Sequence, residues 1–356
     1  MGRFVLWRVL PAVCALFVID GLLFRTGWYA TLIHPDSSAG HYERLIRHEA
    51  EQSKRSGKRV LVLGDSRTGF LARVADEHAA PHGIRFANAA LGGTTPRCWY
   101  YLLRDMDPHA NAYSVILIPF GRYEDEEAVD DLRNRTGDLQ FLAVRLRLRD
   151  TTEFVGSVSS LQAHFQSLRA LLWKGFLYSR DLQDLLQSPS KRMRTIEDYN
   201  NWAEWVYGYQ GEARSLEGLQ VDYERRSIQF PSGLDAGARA AIRASLLWEP
   251  FEPRGWMHAY RLHWLGKIVD RYRGKPVKII FLRLPRGPAP RPASWMRGRT
   301  SAVREIAQRT GVVLAPEHYF SELEQPRLFM DAMHMNGAGM ARFSQLIAQL
   351  AMEQGL

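Results

Sequence analysis

Four short apolar runs constrain this chain more than any other feature. Residues 59–63, 84–88, 115–118 and 277–282 are too short for helices and are dominated by valine, isoleucine, leucine and phenylalanine. A strand buried on one face alternates apolar with polar residues, whereas one buried on both faces reads as a nearly continuous apolar run. Between the first three runs lie helical patterns, notably 97–106, which Pro96 opens at a position where its missing N–H costs nothing. Strands that alternate with helices imply parallel pairing, with helices on both faces of the sheet. The expected fold class is therefore α/β, a three-layer sandwich around a mostly parallel sheet.

The texture changes over 124–274, where long polar helical patterns carry six of the ten tryptophans: Trp173, Trp202, Trp205, Trp248, Trp256 and Trp264. The strand pattern resumes at Val277, so this stretch reads as a large helical insertion within one α/β domain spanning 59–356. Residues 284–292 contain four prolines and must form a loop. A helix is expected over 294–310, a short strand over 312–314 and a closing helix over 337–353. In the last, Met340, Phe343, Leu346, Ile347 and Leu350 recur at helical spacing, as a face packed on the sheet requires.

The N-terminus has a different character. Arg3 and Arg8 flank the start of an apolar stretch over 9–24, which Arg25, Gly27, Trp28 and Tyr29 follow. Pro11 and Asp20 interrupt it, yet counting from Phe4 to Phe24 gives enough residues to meet the ~20 that span a bilayer. No small-x-small site closes the stretch cleanly, so residues 1–33 read as an uncleaved signal anchor, a transmembrane helix, followed by a linker or amphipathic lead-in over 34–58. Basic residues on the short N-terminal side put that end in the cytoplasm. The rest of the chain would then lie in the periplasm of a bacterium, tethered to the inner membrane.

The net charge of +9 raises nucleic acid as a partner. The basic residues are scattered, stand beside acidic runs such as 124–127, and form no zinc-finger or RNA-binding signature, so no nucleic acid is expected. Two cysteines, Cys14 and Cys98, make no disulfide framework, and no metal or other cofactor is called for.

Chemistry concentrates at two places. Gly64-Asp65-Ser66 follows the first strand, which puts the serine at the carboxyl end of the sheet, where open α/β folds bind ligands. As a purely structural alternative, Asp65 and Ser66 cap the next helix. A serine hydroxyl needs a base to become a nucleophile. His334 is the best candidate, because Asp331 lies three residues earlier, a spacing that lets a carboxylate hold one ring nitrogen while the other faces the serine. Arg67 offers a guanidinium to a substrate carboxylate or sugar acid, or else pairs with a neighbouring acid.

Gly64-Asp65-Ser66, Asn88-Ala-Ala-Leu-Gly-Gly93 and Asp331-x-x-His334, in that order, resemble the SGNH (GDSL-like) hydrolase superfamily. The resemblance covers 57–123 and 275–353 and implies an SGNH, flavodoxin-like sandwich. By position it makes Ser66 the nucleophile, His334 the base and Asp331 its orienter, with an oxyanion hole from the backbone N–H groups of Ser66 and Gly93. The family's third block, Gly-x-Asn-Asp, supplies an asparagine donor; here it reads Gly121-Arg122-Tyr123-Glu124. Either Tyr123 or Arg122 replaces that donor, or the hole has two members.

An anchor joined to such a domain is similar in organisation to extracytoplasmic exopolysaccharide O-acetylation proteins of the alginate type. That likeness implies an O-acetyltransferase working through an acyl-serine, with a polysaccharide substrate and a membrane-bound O-acyltransferase as acyl donor. The alternatives are a carbohydrate acetyl esterase with the same triad, and a degenerate domain that binds polysaccharide or a membrane acetylation complex.

Overall fold

A computed structural model describes residues 2–52, 57–69, 71–125, 134, 136–201, 214–248, 255–292 and 300–354. The strands are β1 (Lys58–Gly64), β2 (Ile84–Ala90), β3 (Val115–Phe120), β4 (Gln220–Asp222), β5 (Ser227–Gln229), β6 (Lys278–Arg283) and β7 (Val312–Leu314). Five of them form one sheet in the order β2-β1-β3-β6-β7, and every pairing in it is parallel. The apolar runs of the sequence are these strands, and β1 beyond Lys58, with all of β3, is buried on both faces.

One face carries Val60, Val62, Val115, Leu117, Ile280 and Leu282, packed with Met340, Phe343, Leu346, Ile347 and Leu350 of the closing helix Gly337–Glu353. The intervening strand residues Leu61, Ile116 and Phe281 alternate with them and are also buried. On the aromatic side of the core, Trp99 of helix Pro96–Met106 lies edge-on to Phe120, and Phe120 edge-on to Phe281. Trp264 of helix Gly255–Arg271 meets Tyr101 of the same Pro96–Met106 helix. The fold class is thus α/β around a parallel sheet with helical cover, as the alternation of strands and helices implies.

The strand order has a consequence for function. The chain runs outward from β1 to β2, then returns past β1 to β3 and on to β6 and β7, so the connections reverse direction between β1 and β3. In open parallel sheets, ligands bind beside such a reversal, outside the carboxyl ends of the strands. The loop that leaves β1 begins with Gly64-Asp65-Ser66.

Two compact units divide the chain. One joins residues 1–48 to 131–203, and the other holds 49–130 and 204–356 with the sheet. The boundaries therefore differ from those the sequence suggests: the helical insertion is split, and its first half clusters with the N-terminal segment rather than with the sheet. The second half contains an antiparallel hairpin, β4 with β5, in a stretch whose pattern reads as helical. Three-residue strands carry too little alternation to register. Over 34–58 the lead-in contains the helix Ser38–Gln52. Of the helix expected over 294–310, Ala302–Ile306 is observed, and 294–299 lie outside the described residues.

In the N-terminal unit, residues Gly2–Phe24 form a helix. Among the described residues, no helix is long and apolar enough to cross a membrane. Asp20, which interrupts the apolar stretch, is buried and accepts hydrogen bonds from the backbone N–H of Gly175 (2.7 Å) and Lys174 (3.3 Å). It thereby satisfies orphan donors in the first turn of helix Lys174–Gln187. Phe24 stacks on Tyr178 of that helix at 5.6 Å between ring centroids. The end of the N-terminal helix is therefore bound to protein, while Leu10, Leu16, Val18 and Leu22 face outward.

Two substitutions separate core from surface. Phe343→Ala, at a fully buried site against the sheet, should cost about 3–5 kcal/mol in urea unfolding. Leu161→Ala, where the side chain is 88% exposed, should change stability by less than about 0.5 kcal/mol.

Candidate active site

The turn after β1 owes its shape to Gly64. Its φ is +141°, and a Cβ there would overlap Thr68 Oγ1 and come within 2.8 Å of Pro119 Cγ. A side chain at this position is thus excluded twice, by backbone conformation and by space. Thr68 is buried; its N–H donates to Asp65 O at 3.0 Å, and its hydroxyl to the same oxygen at 3.1 Å. The turn is braced from β2 as well: Asn88 Nδ2 donates to Gly69 O, while Asn88 Oδ1 accepts from the N–H of Ala90 at 2.9 Å. Leu91 N–H and Thr94 Oγ1 both donate to Gly64 O, at 3.1 and 3.0 Å. The 91–94 turn is consequently hydrogen-bonded to the Ser66 turn, and a Cβ on Gly92 would stand 3.7 Å from Ser66 Cβ. Gly93 follows in that turn with φ +74°.

The other half of the site comes from the segment that enters the closing helix. Asp331 Oδ1 accepts from the backbone N–H of Met333 and of His334, both at 2.7 Å, and Oδ2 accepts from His334 Nδ1 at 2.8 Å. One carboxylate thus shapes the turn and orients the ring. Asn336 caps the helix by accepting from Gly339 N–H at 3.0 Å, and its amide donates to Arg327 O at 2.8 Å.

Ser66 Oγ and His334 Nε2 are 2.9 Å apart, across 268 positions of sequence. Because Nδ1 faces a carboxylate it carries the proton, which leaves Nε2 as acceptor and the serine hydroxyl as donor. Ser66 itself is exposed at the sheet edge. The structure therefore brings Ser66, His334 and Asp331 together in the order a hydroxyl, an imidazole and a carboxylate need for proton transfer.

The hydrogen bond from Asp331 raises the pKa of His334 above the ordinary imidazole value; burial and the nearby Arg67 oppose the rise. For Asp331, burial alone would raise the pKa. The hydrogen bonds from the His334 side chain and from two backbone N–H groups outweigh that, and the net direction is down.

Arg67 turns toward Asp65. Its Nε donates at 3.0 Å and its Nη2 at 2.6 Å, so the ion-pair reading of this arginine is the one observed. Burial pushes the Asp65 carboxyl up, yet the guanidinium charge and hydrogen bonds bring it below its usual range. The guanidinium also lies against Gly121: a Cβ there would meet Arg67 Nη1 at 2.7 Å. Gly121 opens the Gly121-Arg122-Tyr123-Glu124 segment, and this contact between two separate stretches carried no signal in the sequence.

Tyr123 does not supply the missing donor. It is completely buried, and its hydroxyl donates to Ala315 O at 2.8 Å, with Phe281 O at 3.3 Å. Phe281 lies within β6 and Ala315 directly follows β7, so the phenol ties these two neighbours of the sheet together, and burial raises its pKa. Arg122 neighbours Arg283 and Arg291, whose pKa values fall chiefly through burial and further through this and other positive charges.

Among the insertion tryptophans, Trp264 is core and Trp173 pairs edge-on with Phe17. Trp202 and Trp205 lie outside the described residues. His258 contacts buried Asp125 at 2.7 Å and Glu305 at 3.3 Å. Asp125 also accepts from Ala302 N–H at 3.1 Å, which makes this pair a staple for the Ala302–Ile306 helix.

No protein-family model matches the chain, and no curated protein matches it.

The His334 ring should titrate above the ordinary imidazole value of ~6.5 when followed by NMR. In Asp331→Asn the anion that stabilises the imidazolium is gone, so the midpoint should move to lower pH.

Proposed function

We propose that this chain is a serine-dependent acyl-ester enzyme of SGNH type. The observation that carries the reading is the continuous path from Ser66 Oγ through the His334 ring to Asp331, with links of 2.9 and 2.8 Å. Its location supports the assignment, since a packed interior histidine has no reason to meet an exposed serine at the topological switch of a parallel sheet.

In this reading His334 Nε2 takes the Ser66 proton as Oγ attacks an acetyl carbonyl, and the Asp331 carboxylate stabilises the imidazolium. The tetrahedral oxyanion forms beside the backbone N–H groups of Ser66 and Gly93. The Arg67 guanidinium, which Asp65 and Gly121 hold, stands in for the absent asparagine. Collapse breaks the ester bond, the imidazolium gives its proton to the leaving alkoxide, and an acyl-serine remains. A second hydroxyl then loses its proton to His334 and attacks, releasing Ser66. When that hydroxyl belongs to a polysaccharide the enzyme is an O-acetyltransferase; when it is water, an esterase. We favour the transferase, acting on an exopolysaccharide outside the cytoplasm and drawing acyl groups from a membrane-bound O-acyltransferase.

The N-terminal helix supports an anchored protein. Its outward residues from Leu10 to Leu22 are apolar, exposed Trp28 suits a membrane interface, and Asp20 is satisfied by protein. The missing asparagine favours the second reading, a domain that binds polysaccharide without turnover.

Ser66→Ala and His334→Ala should each abolish hydrolysis of p-nitrophenyl acetate; retained turnover would remove the triad. Gly121→Ala forces the Arg67 guanidinium to move, and kcat/KM should fall by roughly 10- to 100-fold, while the unfolding midpoint changes little.

A further inference from the structure

The unit built from residues 1–48 and 131–203 holds a cavity of about 630 Å3. Arg25, Arg47, Arg145, Arg147 and Lys174 reach its wall, against one carboxylate, Glu43. That carboxylate is already taken, accepting from Arg145 Nε at 2.6 Å and Nη2 at 2.7 Å. Four basic side chains remain, Arg25, Arg47, Arg147 and Lys174.

Three of them are held by neutral carbonyls, which fix position without cancelling charge. Arg25 Nη2 donates to Leu171 O at 2.5 Å and Leu172 O at 2.9 Å, Arg47 Nη2 to Ala30 O at 2.7 Å, and Lys174 Nζ to Val144 O at 2.7 Å. Arg25 Nε is buried with no hydrogen-bond partner among the described residues. Lys174 is 2% exposed, and burial first, then the charge of Arg25, push its pKa down to about 7 against the pull of Asp20, Glu43 and Asp150. Asp20 and Asp150 keep their negative charge but are not among the residues that line the cavity, and their oxygens are held by backbone N–H groups. Like charges gathered in a low-dielectric recess repel strongly unless an anion sits among them.

The surroundings indicate where that anion comes from. Thr26 and Gly27 line the cavity and directly follow the Gly2–Phe24 helix, whose outward side chains are apolar. Arg25 also grips the last carbonyls of helix Leu161–Leu172. That helix exposes Leu161, Phe165 and Leu168, spaced to share one face. Exposed apolar faces next to a basic recess are the features of a surface that rests on lipid. We propose that this cavity binds the phosphate of an anionic lipid head group, with the arginine forks on its oxygens. The proposal shares with the proposed function only the membrane-side placement of the N-terminal helix and needs no chemistry at Ser66.

Thermal unfolding of the full chain in detergent micelles tests it, with soluble dihexanoyl phosphatidate, dihexanoyl phosphatidylcholine and inorganic phosphate as probes. Saturating phosphatidate should raise the melting temperature by roughly 3–5 °C, and the other two by less than about 1 °C. The shift should vanish in Arg47→Gln/Arg147→Gln. Equal shifts from the two lipids, or an undiminished shift in the double variant, would overturn the site. A full shift from inorganic phosphate alone would overturn its assignment to lipid. Should the double variant fail to fold, the wild-type protein decides the matter: phosphatidate must broaden in its 31P spectrum on adding protein, and phosphatidylcholine must not. p-Nitrophenyl acetate turnover, measured alongside, is expected to be the same with and without phosphatidate, which keeps failure here distinct from failure at Ser66.

Discussion

Parallel pairing of β1 with both β2 and β3 is the constraint on which the rest depends. It buries β1 on both faces, makes the sheet's carboxyl edge the place where the chain reverses, and delivers Gly64 to a position where only glycine fits. The hydrogen bonds that brace the Ser66 turn from the β2 side start from that placement. Gly64 O accepts from the 91–94 turn after β2, and Asn88 at the end of β2 reaches Gly69. Packing of the closing helix on the same sheet then sets the height of His334, whose own turn is organised by Asp331. A 2.9 Å contact across 268 positions is thus the product of core packing and of two local turns that each hold one partner.

Much of this was legible in the residues because it rests on short-range rules. The apolar runs of 59–63, 84–88 and 115–118 lie within β1, β2 and β3, and 337–353 is the closing helix with its five spaced apolar residues on the sheet. Asp331 and His334 are close in sequence, so their hydrogen bond follows from one turn. The features that escaped depend on contacts between distant segments. Tyr123 reads as an available donor because a sequence does not show which way a phenol faces; the burial that places its hydroxyl on Ala315 O is a tertiary fact. Arg67 and Gly121 meet only because β1 and β3 are neighbours. Asp20 reads as a flaw in an apolar stretch, yet it caps a helix more than 150 positions away.

The charge distribution now has a physical shape that the net value of +9 conceals. Around Ser66 each carboxylate is matched to a nitrogen base within hydrogen-bonding distance, Asp65 to the Arg67 guanidinium and Asp331 to the neutral His334 ring. Such pairing suits a site where an oxyanion and an imidazolium appear and vanish together. In the other unit, by contrast, arginines and a lysine collect around a cavity with one carboxylate, itself paired. One arrangement suits transient charge and the other a resident anion.

The central claim is that His334 makes Ser66 a nucleophile. Mass spectrometry after exposure to a fluorophosphonate tests it most directly, because the reagent bonds to an activated serine and needs no knowledge of the natural substrate. The account predicts a single adduct on the peptide containing Ser66, formed at least roughly a hundredfold more slowly in His334→Ala. A wild-type chain that stays unlabelled at Ser66, or labels there equally fast without the imidazole, would contradict it.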